Sequence, residues 1–271
     1  MLKKLLKYEW KGSYKVVLLL NLYVIVTTLI GIASLTMGVW TFTSEGITTL
    51  GAFLFILYII SISFASTIVC IYIAVRYYRR MYMDEGYLMH TLPVNKHHLL
   101  ISQTIVGTIH SVLTSLVLLV CIFGLMYFLY TFLDAHTRAM LQINMDDAFF
   151  QEAAQAFAHN RIFKIVLIAV YLILSSICSI LMSFSAASLG QLFRKHKVMA
   201  SIVCYIGLYM VLQTVCSFGT LPFTGLTLFS NITLTQILGV FLFIETVIVI
   251  VLGIAFYLIN YYLLNKKLNL D

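Results

Sequence analysis

The chain has 271 residues, of which 62% are hydrophobic and only 10% charged, and its mean hydropathy is +1.01. A soluble domain carries about a quarter charged residues, so a water-soluble globule is excluded. The 17 Lys and Arg against 10 Asp and Glu give a formal charge of +7, which on a soluble chain would suggest nucleic acid, but the placement of the charges points elsewhere. Uncharged runs cover residues 16–44, 46–75, 97–133, 165–193 and 198–244, and beyond the lone Glu245 a further run covers 246–265. A membrane-crossing helix needs about 20 mostly apolar residues. The runs therefore hold six spans, which we place at 16–39, 50–75, 101–133, 163–190, 198–217 and 237–263. The fold class is all-α, a polytopic membrane protein with six transmembrane helices.

At the start, MLKKLLKYEWKGSY reads as an amphipathic helix lying in the membrane plane. At about 100° per residue, Lys3, Lys4, Lys7 and Lys11 share one arc, opposite Leu2, Leu5, Leu6 and Trp10. We expect an interfacial helix over 1–15 and a single transmembrane domain over 16–271. Glu9 falls inside the apolar arc. Either it is tolerated near the helix end, or it pairs with an arginine of the Arg76–Arg80 cluster and fixes the helix to the rest of the chain. A Lys-rich start before an apolar run also resembles a signal peptide. The run is too long and lacks an A-x-A cleavage site, so a retained first span is expected.

Orientation follows from the connecting segments. Of the 17 basic residues, 14 lie in the N-terminal segment, the connection 76–96, the connection 194–197 and the tail. The other side holds only Arg138, Arg161 and Lys164, with Glu45, Asp134, Asp146, Asp147 and Glu152. Both termini are thus expected in the cytoplasm. The basic excess is a topology signal facing membrane lipids, with no nucleic-acid partner. Tyr72, Tyr77 and Tyr78, and Tyr257, Tyr261 and Tyr262, fall at the cytoplasmic ends of the second and sixth spans, and Trp40 and Phe42 at the outer end of the first. All suit interfacial anchoring.

The third run would be roughly 55 Å long as a helix, at 1.5 Å per residue. It must tilt strongly or begin as a cytoplasmic helix. Residues 134–162 form a polar outer loop that could hold a short helix around Asp146–Phe157. The uncharged stretch 217–236 contains Gly219, Pro222 and Gly225. It is too apolar for a free loop and too broken for a span, so a re-entrant outer segment is expected, its backbone shielded by neighbouring protein.

Catalytic signatures are missing. The sequence has no GxxxxGK[ST], so it cannot cradle nucleotide phosphates in a P-loop, and it has no HExxH or GxSxG. His97 and His98 read as solvated loop histidines rather than metal ligands, and His110 as a histidine bonded to a neighbouring helix. Cys70, Cys121, Cys178, Cys204 and Cys216 form no CxxC pair and read as small hydrophobes. The only carboxylate within a span is Glu245. It is either a hydrogen-bonded structural group or a lining of a substrate pathway. Small residues recur every fourth position at Gly107–Ser111–Ser115 and Ser175–Ser179–Ser183–Ala187, which permits close helix approach.

The connection 76–103, RYYRRMYMDEGYLMHTLPVNKHHLLISQ, carries the most information. A basic helix end runs into an acidic turn, Asp84–Glu85–Gly86, then an amphipathic stretch with Tyr87, Leu88 and Leu92 that stops near Pro93. Apolar side chains rimmed by charge suggest either a protein partner or packing against the chain's own helix ends. KYEW near the start, DEGYLMHTLPV after the second span and the terminal KKLNLD together resemble small bacterial permeases of the ABC-2 superfamily, over essentially the whole chain. The resemblance implies an ABC-2 type exporter fold in a bacterial plasma membrane. It implies a complex of two permeases, identical or homologous, with two separate ATPase subunits that bind ATP and Mg, leaving this chain no cofactor and no catalytic residue of its own. Asp84, Glu85, Gly86, Tyr87, Leu88, Leu92 and Pro93, within a coupling segment 76–100, would dock on the ATPase. Glu9 and Trp10 would belong to the connecting helix, 217–236 to the outer re-entrant hairpin, and Glu245 to the pathway. The expected function is outward movement of an amphiphile (peptide, drug or lipid), with a non-transporting sensor subunit of a peptide-resistance complex as the alternative.

Overall fold

Long uncharged runs with few helix breakers leave the backbone one way to bond itself in hydrocarbon, the α-helix. The computed structural model describes residues 2–34, 45–83, 86, 96–132, 161–193, 196–229 and 234–266. Among these, six long helices follow in order: α1 Leu2–Ser34, α2 Glu45–Tyr82, α3 Lys96–Phe132, α4 Arg161–Gly190, α5 Lys197–Phe229 and α6 Leu234–Lys266. Each is long and apolar enough to cross a membrane. The protein is a multi-pass membrane protein. Large apolar side chains such as Leu19, Phe53, Val120, Val203 and Val251 lie exposed along the helices. That outward-facing surface suits a lipid solvent, in which burial of apolar groups is not required for stability.

Two helices run further than the sequence pattern suggested. The N-terminal amphipathic stretch is not a separate helix, because α1 runs unbroken from Leu2 to Ser34. No proline interrupts it, and Gly12 sits inside the helix, where an added Cβ would meet the Arg76 guanidinium. The stretch expected to be broken by Gly219, Pro222 and Gly225 is helical as far as Phe229, with Pro222 inside α5. Proline removes one backbone bond, which membrane helices absorb by local adjustment. The third run is one helix of 37 residues, as its length implied. The outer loop 134–160, with its expected short helix, lies outside the described residues.

The helices belong to two compact units. One comprises residues 1–12, 70–112 and 155–271, the other 13–69 and 113–154. In the first, α4 packs most extensively on α6, next on α5. Residues 180–188 of α4 are buried on every side, and Cys178, Leu181 and Met182 form a core with Val249 and Phe256 of α6. In the second, Val24 of α1 packs with Ala65 and Cys121, and Tyr58 with Leu125. There Gly31 lets α1 approach the Tyr58 ring, which a Cβ would meet at 2.7 Å. The Ser61 hydroxyl donates to Thr27 Oγ1 at 3.2 Å.

The helix ends carry local signatures. After α4 the chain tightens into three-residue bonds, from Gln191 N to Ser188 O at 3.3 Å and from Leu192 N to Leu189 O at 3.1 Å. His196 then turns through a left-handed φ of 57°, and its carbonyl accepts the first bond of α5 from Ala200 N at 3.0 Å.

Candidate functional site

Arg76 and Arg80 lie four residues apart on α2 and therefore on one face. Gln103 and His110 are seven apart on α3 and share a face in the same way. Between them sits the start of α1. Glu9 is 4% exposed. Its carboxylate pairs with Arg76 Nη2 at 3.6 Å and with the Arg80 guanidinium. Gln103 Nε2 donates to the same carboxylate at 3.4 Å, and Arg76 Nη2 also donates to the Glu9 carbonyl at 3.3 Å. Beside this cluster the Trp10 ring stacks on His110, with centroids 4.7 Å apart and planes 16° from parallel. Of the two readings of Glu9, the geometry matches the pairing one. His110 is buried against an aromatic ring, consistent with a packing histidine.

The helix end that carries Arg76 and Arg80 leads directly into the segment singled out by sequence. After Tyr82 the chain turns, and the Gly86 N–H donates to Met83 O at 2.6 Å. Gly86 is buried, and a Cβ there would meet the Met81 carbonyl oxygen at 2.6 Å. Only glycine fits this close approach. The other residues of the proposed docking motif, Asp84, Glu85, Tyr87, Leu88, Leu92 and Pro93, lie outside the described residues.

A second polar cluster was not foreseen. Tyr77, expected as an interface anchor, is 2% exposed and stacks on Phe184 at 4.0 Å. Its hydroxyl and that of Tyr82 both reach Ser188, at 3.3 and 2.9 Å. Ser188 in turn meets Asn260 of α6 at 2.9 Å. The signal for this cluster was present but weak, a lone Asn in an apolar span and a serine-rich fourth helix. His97 is exposed, as expected, but helical rather than in a loop. It lies in the first turn of α3, bonds to the Tyr257 hydroxyl and meets the Tyr261 ring edge-on at 5.9 Å.

Glu245 is half-buried on α6, with Tyr171 of α4 beside it. The five cysteines are free thiols. Among the described residues no group of His, Cys, Asp and Glu is arranged to hold a metal ion. No protein-family model, curated protein or solved structure matches the chain.

Proposed function

We propose that the protein is the transmembrane permease subunit of an ATP-binding cassette exporter of the ABC-2 type, moving an amphiphile outward with ATP hydrolysed by a separate subunit. The observation that carries this reading is the clamp at the Arg-rich end of α2. Glu9 on Arg76 and Arg80 ties the N-terminal segment to the base of the DEGYLMHTLPV sequence. A segment that receives a push from a partner protein needs such a base, because force on an untethered loop is lost in local motion. The same reading makes sense of the missing P-loop, which belongs to the partner chain.

On this account both termini face the cytoplasm and a second permease, identical or homologous, completes the pathway. ATP-driven closure of the two ATPase subunits presses on residues 84–93 and biases the helices between inward and outward access. Glu245, beside Tyr171 of α4, is the residue we assign to the pathway wall. The chain is tested with its P-loop partner co-expressed. Replacing Glu85→Lys together with Leu88→Asp should cut co-purification of the ATPase by about tenfold or more, the scale of losing a desolvated anchor, at unchanged membrane levels. Undiminished association would overturn the assignment of the docking motif, and a chain that moves nothing although the ATPase binds would favour the sensor alternative.

A further inference from the structure

Counting protons through the second polar cluster shows that it works as a single unit. Asn260 Nδ2 lies 3.1 Å from Leu181 O and 3.0 Å from Phe256 O. Carbonyl oxygens only accept, so this atom is the amide nitrogen, and with Ser185 Oγ also 2.8 Å away its two protons are shared among three acceptors. The amide oxygen therefore faces Ser188, and Ser188 must spend its one hydroxyl proton on it, at 2.9 Å. With that proton committed, Ser188 can only accept from the phenols. Tyr82 donates at 2.9 Å and Tyr77 at 3.3 Å. Ser188 thus has one donor bond and two acceptor bonds, its full capacity. Ser185 closes the cluster with its single proton shared between Leu181 O at 2.8 Å and Phe256 O at 3.1 Å.

Asn260 and Ser185 are completely buried and Ser188 is 2% exposed. A buried polar group that loses its partner costs far more than a satisfied bond contributes, so these helices shift together or not at all. Tyr82 is the last residue of α2, four positions before the Gly86 turn. We propose that Asn260 is a positioning residue for that turn, acting through the Ser188 hydroxyl so that the end of α2 follows α4 and α6. As a route for force from an ATPase this rests on the proposed function. As coupling between helices it is a property of the chain alone.

The test uses the purified full chain in lipid nanodiscs without an ATPase, so its outcome does not depend on whether one binds. Hydrogen exchange is followed at the backbone amides of Met83–Gly86. Asn260→Ser, which removes an amide hydrogen-bonded to α4 and to its own helix, should speed exchange there by about threefold or more, as Ser188→Ala should. In the Ser188→Ala background Asn260→Ser should add nothing at the turn. A change confined to 181–188 and 256–264, or an equal added effect without Ser188, would overturn the proposal. Should Asn260→Ser fail to fold, the milder Tyr82→Phe is read in reverse. Faster exchange at the amides around Asn260 supports the coupling, and none contradicts it.

Discussion

Glu9 carries a charge at a site almost closed to water, and two arginines and an amide hold it there. Removing one partner of a buried ion pair leaves the other charge uncompensated and costs about 3–5 kcal/mol in a fully buried site. The Arg76 and Arg80 side chains are 18% and 19% exposed, so a smaller loss is expected. Glu9→Gln should destabilise the protein by about 2 kcal/mol, measured as a lower thermal transition in detergent. Arg80→Gln should cost less, because Arg76 remains. At Gly86 the reason is steric. Gly86→Ala brings a methyl group against Met81 O, so the turn must open, and protease cleavage around residues 83–88 should become faster while the overall melting temperature barely moves. Glu9 was legible in the sequence because a carboxylate within an apolar arc is an anomaly that demands a partner. Asn260 was not, because which residues of α2 and α4 lie beside it depends on lateral packing and helix rotation, and no one-dimensional pattern records those.

The six helices were legible from the lengths of the apolar runs alone, since a membrane sets a minimum length that few other structures require. Their ends were not. The sequence pattern suggested a boundary after residue 15, where composition changes from basic and amphipathic to apolar, yet α1 continues through. A change of solvent along a helix does not break its hydrogen bonds. At Pro222 the helix continues, because membrane helices absorb the one lost backbone bond by local adjustment. Close packing of helices supplies a sharper prediction. A Cβ on Gly190 at the end of α4 would meet Ser201 backbone atoms of α5 at 2.7 Å, and backbone cannot swing aside as a side chain can. Gly190→Ala should therefore destabilise by about 1–3 kcal/mol through overpacking. Gly207, in the middle of α5, has nothing near its would-be Cβ. Gly207→Ala should leave stability unchanged or raise it by up to about 1 kcal/mol, the helix-propensity difference. Thermal unfolding of the two variants side by side checks the pair, and an equal loss in both would contradict the close contact of α4 with α5.

At the level of the whole protein, composition identifies a membrane protein, and the distribution of Lys and Arg predicts that both termini face the cytoplasm. In a chain whose five cysteines are replaced, Lys4→Cys and Asn269→Cys should react with an impermeant thiol reagent only after the membrane is opened, and Gln142→Cys should react in sealed cells. The opposite pattern would invert the topology and remove residues 84–93 from the compartment that holds ATP. Function was the least legible property, since the sequence carries no catalytic signature and the proposed docking motif would acquire meaning only from its partner. The account therefore stands on that partner. The most direct measurement is native mass spectrometry of the tagged chain isolated gently from its own membrane. The predicted mass is that of two permeases with two P-loop ATPase subunits, and a chain found alone, or only with copies of itself, would contradict the exporter.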